Sequence, residues 1–531
     1  MKASSWANLL LGSIFPQLEP DQKDSSHTHC QSFLPLLEEY NATGFAEYVP
    51  AGTNLSFTYN DPSCDRPNQV LSVDICRLAL SVGTSNQSGI TMEVWLPSNW
   101  TGRFLGTGNG GIDGCIKYED LAYGTANGFA TVGSNNGHNG STAVGFYKNE
   151  DVLADYAWRA LHVSVEIGKQ LTQTFYSKAA TKSYYIGCSF GGRQGINSAV
   201  LFPDDFDGII AGSPALDFNN LVSWRASFFP ITGTSSSPSF INQSDWENMV
   251  HLEVLRQCDT LDGVADGIIE DPSLCHFRPE AIMCTSDRVH NCLDVNQVDT
   301  VRRVLGPLYG NGGQLIFPAM QPGSEIEAST QLYAGKPFSY SEEWFQYVVY
   351  NPSWDPSSFT IHDASVAEAL NPQNIRTWPN SLSTYRNRSG KIITFHGQQD
   401  EKITSFNTAR FYNHLSRSMR MSSSELDNFF RFFRISGMGH CNSGPGAWGI
   451  GQGGGSVTMT LPFETEMNVL AALVDWVEMD IPPDTIRGTK YVNDTPELGV
   501  EFQRDHCRYP LRNTYMGGDS SSPGSWRCLE P

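Results

Sequence analysis

The stretch Gly187-Cys188-Ser189-Phe190-Gly191 most narrows the folds open to this chain. Its Gly-x-Ser-x-Gly pattern suits a sharp strand-to-helix turn that lifts a serine hydroxyl above a sheet. The flanks agree with that geometry. "KSYYIGCS" reads as a strand, and "GGRQGINSAVLFP" reads as a helix stopped by Pro203. Around them "LSVDICRLALSV", "ITMEVWLP", "GRFLGTGNGG" and "GFATVGSNNGH" are strand-like. "DYAWRALHVSVEIGKQLTQTFY" has helical periodicity, and "FDGIIAGSPA" is a further strand. This βαβ alternation, with a nucleophile at the C-terminal end of a strand, predicts an α/β-hydrolase fold.

After Ala215 the alternation fades into a region rich in Trp, Pro and Cys. It resumes with "KIITFHGQQD" at Lys391, followed by "NFFRFFRISGMGHC". The expected organisation is a catalytic domain built from residues 26–219 and 389–531, interrupted by a lid domain over 220–388. Residues 1–25 read as a signal peptide and polar tail, because a short apolar run from Leu9 to Phe15 follows Lys2. No other apolar run is long enough to cross a bilayer. A net charge of −21 argues against nucleic acid or an anionic membrane as partner.

A serine needs a base to take its proton, and the base needs an acid to orient it. In this fold the chain order is Ser, acid, His. Ser189, Asp400 at the end of "IITFHGQQD" and His440 in "ISGMGHC" follow it. Glu401 and Asp363 are rivals for the acid, and His396 and His414 for the base. One oxyanion donor is the amide of the residue after the nucleophile, Phe190. The second is expected from "GNGG", at Gly110 or Gly111, unless those glycines only make a tight turn. The lid aromatics Trp344, Phe345 and Tyr347 are either an aryl-binding wall or lid core. "GPGAWGIGQGGG" (residues 444–455) is glycine-rich, but lacks the context of a nucleotide-binding loop.

The 12 cysteines are even in number and lack zinc-finger spacing, which points to disulfides and an oxidising compartment. Proximity suggests Cys258–Cys275, Cys284–Cys292 and Cys507–Cys528. Eight Asn-x-Ser/Thr sequons, at Asn41, Asn54, Asn86, Asn99, Asn139, Asn242, Asn387 and Asn493, point to a secreted glycoprotein. Cys188 precedes the nucleophile and Cys441 follows the base. A bond between them would close a loop of about 250 residues, which the chain-entropy model values at ~5 kcal/mol. It would also fix the distance from serine to histidine. In "CDTLDGVADGIIEDPSLC", Asp259, Asp262 and Asp266 share one short loop between cysteines. Hard oxygen ligands at that spacing suit Ca²⁺, with a solvated acidic loop as the alternative.

Cys188-Ser189, Asp400 and His440-Cys441 resemble the CS–D–HC motif of the fungal tannase and feruloyl esterase family. The likeness runs from Cys30 to Cys528, through "TGRFLGTGNGG", "VLADYAWRALH", "GCSFGGRQG", "FPDDFDGIIAGSPA", "EEWFQYVVYN" and "ISGMGHC", and is strongest to type B feruloyl esterases. The resemblance implies an α/β-hydrolase with a lid and a secreted serine carboxylesterase. Its substrates would be feruloyl and related hydroxycinnamoyl esters of plant cell-wall polysaccharide. Tannase activity on galloyl esters, or an inactive glycan-binding homologue, are the alternatives. The resemblance further implies the pairs Cys30–Cys76 and Cys64–Cys115. For the acidic loop it implies a structural calcium held by Asp259, Asp262 and Asp266 with the carbonyls of Val264 and Ile268.

Overall fold

The structure is a computed structural model that describes residues 28–33 and 42–531. The expected signal segment and the Asn41 sequon lie outside the described residues. Among the described residues a single nine-stranded sheet carries the molecule. Its strands are β1 (Ala42–Val49), β2 (Ile75–Gly83), β3 (Gly89–Pro97), β4 (Arg103–Thr107), β5 (Phe129–Ser134), β6 (Lys182–Cys188), β7 (Gly208–Gly212), β8 (Lys391–Gly397) and β9 (Phe430–Ile435). Their spatial order is β1-β2-β3-β5-β4-β6-β7-β8-β9. The first three strands join as an antiparallel meander that pairs antiparallel with β5. From β5 to β9 every neighbouring pair is parallel.

The parallel strands are apolar on both faces, as burial between two helical layers requires. Phe104, Tyr185, Ile209 and Ile392 point to one side, into a cluster with Leu161, Val165 and Leu171 of α2 (Ala160–Tyr176), Ile196 of α3 (Phe190–Leu201) and Phe411 of α5 (Ser405–Met419). The next residue in each strand, Leu105, Ile186, Ile210 and Ile393, points to the other side. There it meets Tyr123 of α1 (Tyr118–Ala126) and Leu470, Leu473 and Trp476 of α6 (Val469–Met479). The two-residue period of a strand thus assigns each side chain to a layer, and burying each one contributes ~1.5–3 kcal/mol. In the antiparallel half, Arg77 of β2 and Glu93 of β3 form a buried two-point ion pair (2.6 and 2.8 Å). Trp95 Nε1 and Tyr59 Oη complete the carboxylate's partners.

Between β7 and β8 the chain leaves the sheet and builds a separate core around Trp224, Trp246, Phe317, Tyr333 and Trp344. Helix α4 (Phe218–Ala226) runs across residue 219, where the insertion is expected to start, and is buried in that core along its length. Register sets what happens above the sheet. Cys188 pairs with Gly212, Gly212 with Phe395, and Gly397 with Ile435. The C-terminal ends of β6, β7, β8 and β9 therefore stand side by side, and the loops leaving them meet beneath the lid.

Candidate active site

Ser189 follows β6 directly, in a left-handed backbone conformation (φ 64°, ψ −121°). Such strain at a non-glycine residue costs ~1–3 kcal/mol and marks a nucleophile turn. It is held from two sides: Ser189 N donates to Gly212 O and Ala215 N donates to Ser189 O, both at 2.9 Å. The glycines of the motif answer a packing demand. A Cβ on Gly187 would lie 2.8 Å from the Gly191 backbone, and one on Gly191 would lie 2.9 Å from Asn109 O. Only bare backbone lets β4, β6 and α3 approach so closely.

His440 Nε2 lies 2.9 Å from Ser189 Oγ, and His440 Nδ1 lies 2.8 Å from Asp400 Oδ2. Asp400 is fully buried, and its Oδ1 accepts from the amides of Lys402 (2.9 Å) and Ile403 (2.8 Å). Gln321, from the lid, donates to Asp400 O at 2.5 Å and accepts from Ser405 N at 3.2 Å. Burial alone would raise the Asp400 carboxyl. The His440 charge and hydrogen bonds from His396 and His440 outweigh it and hold the group well below the usual carboxylate range. Asp400 is therefore an anion at neutral pH, as an orienting acid must be.

The rival residues do other things. Glu401 Oε2 accepts from the His440 amide (3.1 Å), so it fixes the loop and not the ring. Asp363 caps the helix Ile361–Leu370 and accepts from Tyr350 Oη. His396 is buried behind the acid, with Nδ1 2.7 Å from Thr408 Oγ1 and Nε2 within reach of both Ile403 O (2.9 Å) and Asp400 Oδ2 (3.1 Å). His414 packs on Trp378. Cys188 and Cys441 are bonded, closing 253 residues between the nucleophile turn and the base loop. The other bonds are Cys30–Cys76, Cys64–Cys115, Cys258–Cys275, Cys284–Cys292 and Cys507–Cys528, leaving no free cysteine among the described residues.

Among the described residues the amides of Phe190 and Gly111 donate to no backbone acceptor, whereas the Gly110 amide is turned toward the Asp113 carboxyl. Gly111 has φ +49°, and a Cβ there would lie 2.6 Å from the Tyr340 ring. Tyr156 Oη donates to Gly111 O at 2.7 Å, so a core tyrosine steadies the loop. Tyr340 is the lid side chain that reaches this loop, and sequence reading missed it. Trp344 and Phe345 are fully buried lid core, while Tyr347 is half-buried. Arg225, also missed, donates to Lys402 O and sits where the Asp400 and Tyr340 fields act on it.

The acidic loop is organised by its own backbone. Asp259 accepts from Gly267 N (3.2 Å), Asp262 from Val264 N (2.9 Å) and Asp266 from Ile268 N (3.1 Å). Arg504, on the strand Val500–Cys507, reaches Asp266 and Glu270, both at 2.9 Å, and its guanidinium lies 3.9 Å over Trp526. Asp262 Oδ2 is buried with no hydrogen-bond partner among the described residues. Among the described residues no three His, Cys, Asp or Glu groups converge into a ready-made metal cluster. A cation here would need backbone carbonyls beside the carboxylates.

A family model described as tannase and feruloyl esterase matches residues 75–529. A probable feruloyl esterase B-2 of Aspergillus flavus is 67% identical over 522 residues, covering 96% of this chain and 98% of that protein. The crystal structure of feruloyl esterase B from Aspergillus oryzae superposes with a TM-score of 0.91 at 46% identity, over 95% of this chain and all of that one. A tannin acyl hydrolase from Aspergillus niger shares the fold (TM-score 0.75, covering 95% of each chain) at 20% identity.

Two outcomes are expected from this geometry. Ser189→Ala and Asp400→Asn should each lower kcat by ~10⁴-fold, because serine, histidine and acid act as one unit. Steady-state kinetics on any activated ester, with circular dichroism as the check on folding, measures this. Cys188→Ala/Cys441→Ala leaves no lone thiol and should lower kcat by ~10²-fold at temperatures where the variant stays folded, since slight misplacement of reacting groups is that costly. Full activity in the cold would show that the bond serves stability alone.

Proposed function

The chain belongs to the tannase and feruloyl esterase family, and from that membership and its triad geometry we infer that it hydrolyses feruloyl and related hydroxycinnamoyl esters. The observation that carries this reading is the unbroken line Ser189 Oγ–His440–Asp400. In that line the Ser189 oxygen attacks the ester carbonyl while its proton passes to His440 Nε2. The carbonyl oxygen becomes an anion facing the amides of Phe190 and Gly111, which are free to donate. As the tetrahedral species collapses, the C–O bond to the alcohol breaks and His440 gives the proton to the leaving oxygen. Water, deprotonated by His440, then releases the phenolic acid and restores Ser189. Asp400 stays ionised and stabilises the imidazolium in both halves.

Hydroxycinnamate is favoured over gallate because relatives named feruloyl esterase are 46% and 67% identical to this chain, while the tannin acyl hydrolase, at 20%, shares only the fold. Secretion is supported by six disulfides and by seven described sequon asparagines, all exposed. No helix among the described residues is long and apolar enough to cross a membrane. The cell-wall polysaccharide is the inferred carrier of the ester. The acidic loop is proposed to hold a structural Ca²⁺ through Asp259, Asp262 and Asp266 with the carbonyls of Val264 and Ile268. The orphaned Asp262 Oδ2 supports this, since a buried carboxylate oxygen with no donor is costly. Such an ion would neutralise crowded carboxylates and take no part in the ester chemistry.

Purified enzyme should turn over methyl ferulate with kcat/KM at least ~10-fold above that for methyl gallate, a gap of ~1.4 kcal/mol in transition-state binding. The reverse order would make it a tannase. Chelation with EGTA should lower the melting temperature, by roughly 1 °C per kcal/mol lost in a chain this size, since the shift scales inversely with the entropy of unfolding. Elemental analysis without calcium, together with unchanged melting, would refute the metal.

A further inference from the structure

We propose that Arg193, acting with Tyr156, is a positioning residue for the oxyanion hole: the pair holds both donor residues of the hole in place, and the guanidinium supplies positive charge behind them. This rests on the ester hydrolysis inferred above and names side chains that shape its transition state.

The first argument is linkage. The two donor residues, Phe190 and Gly111, are far apart in sequence, and one side chain touches both. The Tyr156 ring stacks on Phe190 at 4.1 Å with the planes 13° apart. Its hydroxyl donates to Gly111 O at 2.7 Å. The Arg193 guanidinium lies 5.0 Å over the same Phe190 ring. It also grips the segment that carries Tyr156, since Nη1 donates to Ala157 O at 2.9 Å. Its Nε donates to Ile375 O at 2.8 Å. Arg193 itself stands in the first turn of α3, with its amide 3.1 Å from Ser189 O. Nucleophile, first donor, tyrosine and second donor thus close into one packed unit, and Arg193 bonds it at two points.

The second argument is charge. Among the described residues Arg77, Arg193 and Arg504 are buried to 2% exposure or less. Arg77 grips Glu93, and Arg504 grips Glu270 and Asp266. Arg193 bonds only carbonyls, and its Nη2 is buried with no hydrogen-bond partner among the described residues. Burial lowers the guanidinium to about 10 and no carboxylate lies close enough to raise it, so it stays a cation at neutral pH. A buried charge without a counter-charge is costly. The reaction supplies that counter-charge. As Ser189 attacks, the carbonyl oxygen becomes an anion beside the Phe190 amide, in front of the Arg193–Phe190 contact. In a site closed to water a fixed cation there favours the anion over the neutral ester, which lowers the barrier without tightening substrate binding.

The test separates charge from scaffolding. Arg193→Gln removes the charge and keeps a donor for one carbonyl, whereas Arg193→Lys keeps the charge. On methyl ferulate the glutamine variant should lose about 30-fold in kcat with KM changed by less than about twofold, a smaller loss than that of a direct donor. The lysine variant should stay within about threefold of wild type. Phenylboronic acid, which forms an anionic tetrahedral adduct with a nucleophilic serine, should bind the glutamine variant more weakly by a similar factor. A scaffolding role would instead lower the melting temperature of both variants and leave their kcat alike in the cold. Tyr156→Phe keeps the stacked ring and removes only the hydroxyl, so it is readable, with the lysine variant, even where the glutamine variant does not fold. Its kcat should fall about tenfold at unchanged KM. A lysine variant as slow as about 30-fold below wild type, an unchanged boronate affinity in the glutamine variant, or a wild-type kcat in Tyr156→Phe would each overturn the assignment, while wild-type turnover of methyl ferulate left the esterase reading standing. Wild-type enzyme inert on methyl ferulate would overturn the esterase reading and the assignment with it.

Discussion

A covalent bond beside the reacting atoms governs this molecule. Cys188 and Cys441 are the immediate neighbours of nucleophile and base, and they are joined across 253 residues of chain. The parallel register of β6 to β9 brings the loop ends near one another, but loops leaving strands retain freedom. The bond removes that freedom at the one place where tenths of an ångström matter for proton transfer. It also ties the Ser189 and His440 loops to each other directly. Whatever the residues between β7 and β8 do, the distance from Ser189 to His440 is set below them.

Around that bond the charges fall into two kinds. Asp400 is buried and heavily served by backbone amides and imidazoles, so it remains an anion without solvent. Asp120 is also buried but less well served, and burial pushes it up to about 6; the half-buried Asp113 is pushed up to about 6 as well. The contrast is one of donor count: two amides and two histidines meet Asp400, whereas a single amide at 2.7 Å meets Asp120. The same side chain is a permanent charge in one loop and a group near its titration point in another.

Much of the fold was legible because local pattern and tertiary role coincide in the parallel half. Strands such as "KSYYIGC" are buried from their second residue on and carry, near the end, a glycine that the packing demands. The triad followed from strand ends and chain order. What escaped notice lacks a local signal. Strand β1, "ATGFAEYV", is an edge strand buried mainly at its two ends, so it shows no alternation. Helix α1 is buried nearly all round and has no polar face to give it away. Tyr340, Gln321 and Arg225 act on the site from the lid side, and only the folded path of the chain brings them there. Cys30–Cys76 and Cys64–Cys115 span 46 and 51 residues, too far for proximity in sequence to pair them.

Arg504 gives the architecture a further property. The C-terminal hairpin that carries it is formed by the strands Thr485–Tyr491 and Val500–Cys507 and lies beyond the last catalytic residue. Yet its guanidinium grips Asp266 and Glu270, while Arg434 and Arg512 grip Asp271 of the same loop. The insertion is thus sewn to the far end of the polypeptide as well as to its own two hinges. These ion pairs add to the contacts that Gln321 and Arg225 make with the Asp400 loop, so the insertion is tied down at more than its two chain connections. For recombination between relatives this makes the lid a non-modular unit: a graft of the inserted segment alone would strand carboxylates whose arginines belong to the recipient's tail. Lid and tail have to travel together.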